Sequence, residues 1–181
     1  MMVRRLVTGH RAGKAVVMSD GQAPRSHDFQ HIPGMATALV WSTPPMPTVP
    51  HSGADAISPQ STFVPPPGET RLMVLSLPPF SVAARAFGSP VAVQESLQHM
   101  TDLAAKMEQE NPAMHVTDTV DYAIVLEGEV WLELDGGEQV HLRPHDIVIQ
   151  NGTRHGWRNK TDKPVKIAFV LVGADRKSAP P

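Results

Sequence analysis

The chain has 181 residues, enough for one domain with a sizeable core and short for two. A hydrophobic fraction of 41%, a charged fraction of 19% and a net charge of −2 describe an ordinary globular protein, without a Lys/Arg run able to neutralise a series of phosphates. There is no cysteine, which excludes disulfides, thiolate zinc sites and cysteine nucleophiles, and no stretch has the roughly 18 consecutive apolar residues of a membrane span.

The N-terminal MMVRRLVTGHRAGKAVV has no apolar run of signal-peptide length. A soluble, cytoplasmic protein is therefore expected, with neither nucleic acid nor membrane as a partner. Residues 3–8, 14–18 and 36–41 (VRRLVT, KAVVM, ATALVW) are predicted strands, with turns at 9–13 and 19–24. Many of the 18 prolines fall between Pro44 and Pro90. Segment 42–69, rich in Pro, Ser and Gly, is expected to be a long surface excursion, ordered where it docks. The apolar run TRLMVLSLP (70–78) is predicted to be a buried strand.

Val93, Leu97, Met100, Leu103 or Ala104, and Met107 recur at helical spacing. They predict one helix, about 92–110, opened by Ser89-Pro90 and stopped by Asn111-Pro112. Its methionine stripe reads as core packing, and His99 within it has no partner at metal-ligand spacing.

From residue 115 strand signals follow one another closely. Tyr122–Leu126, Val130–Leu134 and Val140–Leu142 alternate; Ile147–Ile149 reads as a buried run; His155–Asn159 continues, and Val165–Val172 is the last strand. Asp135-Gly136-Gly137 is a hairpin signal, with further turns at Pro144-His145-Asp146 and Asn151-Gly152. Short strands joined by tight turns, with no helix between them, indicate an all-β sandwich or barrel. The tail from 174 to 181 is expected to be flexible.

His115, Thr117, Thr119 and Asp121 share one strand parity; Val116, Val120, Tyr122 and Ile124 share the other. On a half-exposed strand such alternation simply turns the polar face to water. No Gly-x-Ser-x-Gly, Walker-type loop or dinucleotide fingerprint is present.

This succession resembles the cupin superfamily, small β-barrels of jelly-roll type. The first cupin motif has two histidines one residue apart, a glutamate three or four residues later and a glycine after six more. His115, Thr117, Asp121 and Gly128 stand at those positions. The second motif runs proline, glycine, histidine, asparagine, and here Gln150, Gly152, His155 and Asn159 fall on it.

The resemblance implies a cupin-type jelly-roll β-barrel at 113–173. Residues 1–112 would add N-terminal strands that extend the sheets, the Pro-rich loop and one peripheral helix, all in one domain. It also implies that His115, Asp121 and His155 converge inside the barrel as ligands of a divalent metal, a set that suits Fe, Zn, Mn or Ni.

Thr117 replaces the second histidine, and its hydroxyl is expected to bond a metal-bound water. Asp121 replaces the glutamate with roughly 1.5 Å less reach. Either the backbone moves inward to compensate, or Asp121 orients a histidine. Thr117 and Trp157 are the expected substrate-pocket residues, although Trp157 could equally fill the barrel; Asn159 is expected to tie down its turn.

The implied function is a small-molecule enzyme of the cupin type, metal-dependent, with oxygenase, decarboxylase, isomerase or dehydratase chemistry. Two alternatives stay open: a non-catalytic cupin that binds a small ligand or a partner through a decayed metal site, and a metal-free His115/Asp121 general base. No catalytic residue is assigned, and His10, His27, His31, His51, His141 and His145 are given no chemistry. Cupins commonly pair, so a homodimer is expected, with VRRLVT and KAVVM crossing to the partner.

Overall fold

A computed structural model describes residues 3–177. Met1, Met2 and the end of the expected tail, 178–181, lie outside the described residues. Two antiparallel sheets form the body. The larger contains β3 (Arg25–Asp28), β4 (Ala36–Thr43), β5 (Thr70–Leu77), β7 (Thr119–Glu127), β10 (Ile147–Asn151) and β12 (Val165–Gly173), in the order β10-β7-β12-β5-β4-β3. The smaller contains β6 (Met114–His115), β8 (Val130–Glu133), β9 (Gln139–Leu142) and β11 (His155–Arg158), in the order β6-β11-β8-β9. The two do not close into one continuous ladder, and the architecture is that of a jelly roll.

Period-2 alternation builds the core. Val165, Ile167, Phe169 and Leu171 of β12 turn inward, as do Ala123 and Val125 of β7, and they meet Val130, Leu132 and Leu142 from the smaller sheet in one cluster. The β7–β8 turn needs Gly128, at φ +79°, because a Cβ there would stand 3.2 Å from the Val165 Cα. At the β9–β10 turn His145 takes a positive φ of 77°, as its turn position suggests. Past the end of β4, residues 44–69 have no regular structure and dock through the buried Ile57 and Phe63. Past β12, the Ala174 amide donates to the Asp118 carbonyl, and the Arg176 guanidinium donates to the Thr117 and Gly152 carbonyls.

Three expectations are corrected. Of the three expected N-terminal strands only the third, β4, extends a sheet: β1 (Arg4–Arg11) and β2 (Lys14–Gln22) pair with each other in a separate two-stranded ribbon. Val3 and Ala23 at its base pack on Ala38, Val40 and Val74, on the outer face of the larger sheet. Pro24, which has no N–H to donate, separates the ribbon from β3.

The single helix at 92–110 is instead two short ones, α2 (Pro90–His99) and α3 (Thr101–Ala104), preceded by a further helix, α1 (Phe80–Phe87). Met100 breaks the run with φ −137° and ψ 41°, so the helical spacing continues across a kink. Ile147–Ile149 is not a buried run either. Val148 faces the core, while Ile147 and Ile149 are 62% and 49% exposed on the outer face.

Helix α2 is fastened to the sheet by one buried carboxylate. Glu95 accepts from the Gln30 amide (2.7 Å), the His31 amide (2.9 Å) and His27 Nε2 (2.9 Å). Burial pushes the Glu95 pKa up, but these donors outweigh it and hold the group below its ordinary range. A depressed carboxylate stabilises the fold above its unfolded pKa of about 4.3 and loses that contribution as pH falls. Glu95→Gln sets an amide NH2 against amide donors and is expected to cost about 1–3 kcal/mol near neutral pH. In urea denaturation at several pH values, the gap from wild type should close below about pH 4.

Candidate functional site

The site begins at the pairing of β11 with β6. His155 lies opposite His115, and Gly156 opposite Met114. A Cβ on Gly156 would stand 2.5 Å from the Ala113 carbonyl oxygen, so only glycine permits this approach. The two imidazoles sit with ring centroids 4.3 Å apart, tilted by 52°. The Thr153 carbonyl lies 2.9 Å from His155 Nδ1, which puts the proton of the neutral ring on Nδ1 and leaves Nε2 as a free acceptor. Trp157, two residues on, meets His155 edge-to-face (5.9 Å, 87°) and Phe169 likewise (5.5 Å, 76°).

The strand alternation resolves against the solvent-face reading. His115, Thr117, Thr119 and Asp121 are all buried, and Tyr122, of the opposite parity, is 45% exposed. The polar side faces inward because the space between the sheets contains a cavity of about 480 Å³, within the range of small-molecule sites. His115, Thr117, Asp121, His155 and Trp157 all line it, with Met73, Leu75, Phe169 and Leu171 from the larger sheet. The helices form the remaining wall through Phe87, Val93, Leu97, Met100 and Leu103.

Asn159 ties down its turn as expected. Its Nδ2 donates to the Leu77 (3.1 Å) and Lys163 (2.7 Å) carbonyls, and its Oδ1 accepts from the Thr161 amide (3.0 Å) and hydroxyl (2.7 Å).

Burial dominates the electrostatics. It lowers His115 to about 3, helped by the neighbouring His155, and it lowers His155 as well. It raises Asp121 to about 6. Both imidazoles are therefore neutral at physiological pH, and the carboxylate titrates close to it. His115 Nδ1 and Asp121 Oδ1 are buried without a hydrogen-bond partner. Thr117 accepts from the Thr119 hydroxyl (2.8 Å).

Two neutral imidazoles, a carboxylate and two unpartnered buried atoms suit a divalent cation by donor chemistry. As placed, however, no three His, Asp or Glu side chains among the described residues gather closely enough to hold a metal ion. Asp121 shares the cavity with the histidine pair without joining it in a ligand set.

Sequence reasoning missed two features. The stripe Val93, Leu97, Met100 and Met107 also lines the cavity: Met100 and Met107 join the core cluster as expected, but Val93 and Leu97 are 42% exposed. His27 and His99, given no chemistry, stack in parallel at 3.4 Å beside Glu95. Neither feature has a local signal, because both depend on where the helices dock.

Residues 104–172 match the family model described as a cupin domain. The chain is 48% identical to the phomopsin biosynthesis cluster protein D of Diaporthe leptostromiformis, over 33% of this chain and 39% of that protein. It is 35% identical to a cupin-domain-containing oxidoreductase of Aspergillus ruber, over 42% of this chain and 38% of that protein. The match thus spans about two fifths of the length of these relatives. A crystal structure of a putative ethanolamine utilization protein from Salmonella typhimurium aligns with 97% of this chain and 99% of its own, at 11% identity and a TM-score of 0.42.

A raised carboxyl pKa has a stability consequence of definite sign. Folded Asp121 holds its proton up to about pH 6, whereas the unfolded group releases it near 3.9, so stability falls as pH rises across that window. In chelator-treated protein, Asp121→Asn is expected to raise stability above pH ~6 by about 1–3 kcal/mol. The gain should vanish below about pH 4. Urea unfolding midpoints across that pH range check both.

Proposed function

We propose that this chain, which belongs to the cupin superfamily through residues 104–172, is an enzyme that transforms a small organic molecule inside its cavity. His115, Asp121 and His155 are the groups that meet the reacting end of that molecule. The observation that carries this reading is the placement of those three titratable side chains, two with unpartnered atoms, on the wall of a largely apolar cavity. Further support comes from the relatives, which include cupin-domain-containing oxidoreductases of Aspergillus ruber, Neurospora crassa and Hypocrea virens.

The finer reading is that His115, Asp121 and His155 hold a divalent metal, with Fe, Zn, Mn and Ni all compatible with the donor set. When bound, such a metal supplies a Lewis acid and, if redox-active, a route for electron transfer. The chain's own residues do the rest. The Thr153 carbonyl fixes the His155 tautomer and holds Nε2 toward the cavity as an acceptor. Burial keeps both imidazoles uncharged. Trp157 stands edge-on to His155 and restricts where a flat substrate can lie.

A second reading is favoured by one observation, the ungrouped state of the three side chains. Asp121, titrating near 6, and His155, with Nε2 free, can exchange a proton with substrate directly. Metal and acid–base readings separate in one experiment. Chelator-treated wild type and His155→Ala are melted with and without added Fe, Mn, Zn or Ni. The metal reading expects one ion to raise the wild-type melting temperature by several degrees and to leave His155→Ala unmoved. Absence of any shift, together with no metal in the purified protein, overturns it in favour of acid–base chemistry.

A further inference from the structure

The cavity's composition defines what it accepts. Among the described residues that line it there is no Lys or Arg, and the ionisable groups are His115, Asp121 and His155 alone. The remaining surface is mostly hydrocarbon, sulfur and aromatic ring, including Met73, Met100, Phe169 and Trp157. A carboxylate or phosphate entering here would lose its water, find no cation and approach Asp121. An ammonium would lose its water against the same apolar wall, with Asp121 as its one counter-ion among the lining residues to offset that cost.

The polar end has a definite sense as well. His155 Nε2 presents a lone pair, and the buried Asp121 Oδ1 lacks a donor. Both ask for a hydrogen from the ligand, since an unsatisfied buried acceptor is costly. The mouth agrees. Phe87, Val93 and Leu97 are exposed large apolar residues that also line the cavity, so the entrance is itself hydrophobic.

Resting on the reading of this cavity as the reaction site, we infer that its substrate is an uncharged, largely apolar molecule whose hydroxyl group donates to the His155–Asp121 wall. Selection works in two parts. The hydrocarbon wall rejects a charged head group, and the unpartnered acceptors favour a hydroxyl over a plain hydrocarbon.

The test is a calorimetric titration of the full-length chain with four matched probes: para-butylphenol, butylbenzene, para-butylbenzoate and para-butylbenzylamine. The phenol is expected to bind at least about tenfold more tightly than the benzoate or the benzylamine, and more tightly than butylbenzene. Asp121→Leu should bring phenol and butylbenzene closer in affinity while both still bind. Leu97→Arg, at the partly exposed mouth where folding is not at stake, should strengthen benzoate binding.

Benzoate or benzylamine binding as tightly as the phenol overturns the inference. So does a Leu97→Arg chain with unchanged benzoate affinity, or a folded wild type that binds none of the four. All of these are equilibrium readouts. A chain that selects the phenol yet turns nothing over contradicts the enzymatic reading and leaves the selectivity intact.

Discussion

The close approach of β11 to β6 is the constraint on which the rest depends. With Gly156 opposite Met114, the two backbones come nearer than any side chain at that position would allow. The approach places His155 across from His115 in the smaller sheet; β7 of the opposite sheet then supplies Asp121 to the same cavity, and the β6–β7 connection supplies Thr117. Trp157 follows from strand parity, and Asn159, at the end of the strand, locks the turn that holds β11 in register.

This arrangement puts polarity inside and hydrocarbon outside along one stretch of β7. Thr119 and Asp121 are buried, with Asp121 on the cavity wall, while Tyr122 and, from the neighbouring strand, Ile147 and Ile149 face outward. Folding alone would not favour this order, because the unpartnered His115 Nδ1 and Asp121 Oδ1 each carry a desolvation cost. Two unpartnered buried polar atoms beside a largely apolar cavity are groups that a ligand would satisfy. The kinked helices complete the enclosure. Glu95 fastens α2 to the larger sheet on one side while Val93, Ser96 and Leu97 face the cavity from the other.

Much of this was legible in the sequence, and the parts that were not share a cause. The strands from 119 to 173 could be read because alternation and Gly-containing turns are local, and the motif glycines agreed with both. Helix α1 escaped notice because FSVAARAF follows a strand directly through Pro78-Pro79, and the kink at Met100 leaves helical spacing undisturbed. Alternation at 115–121 shows two faces and cannot say which meets water; the partner sheet decides that. The cavity-lining role of Val93 and Leu97 was equally hidden, since an apolar stripe looks the same whether it fills a core or walls a void.

Histidine nitrogen-15 NMR of the full chain tests the central claim most directly, namely that burial between the sheets holds two neutral imidazoles with a fixed tautomer at the cavity wall. His115 is expected to stay uncharged from about pH 8 to about pH 5, and His155 to titrate below its ordinary value with its neutral-ring proton on Nδ1. Either ring titrating near the ordinary value of about 6.5, or His155 carrying its proton on Nε2, would contradict it.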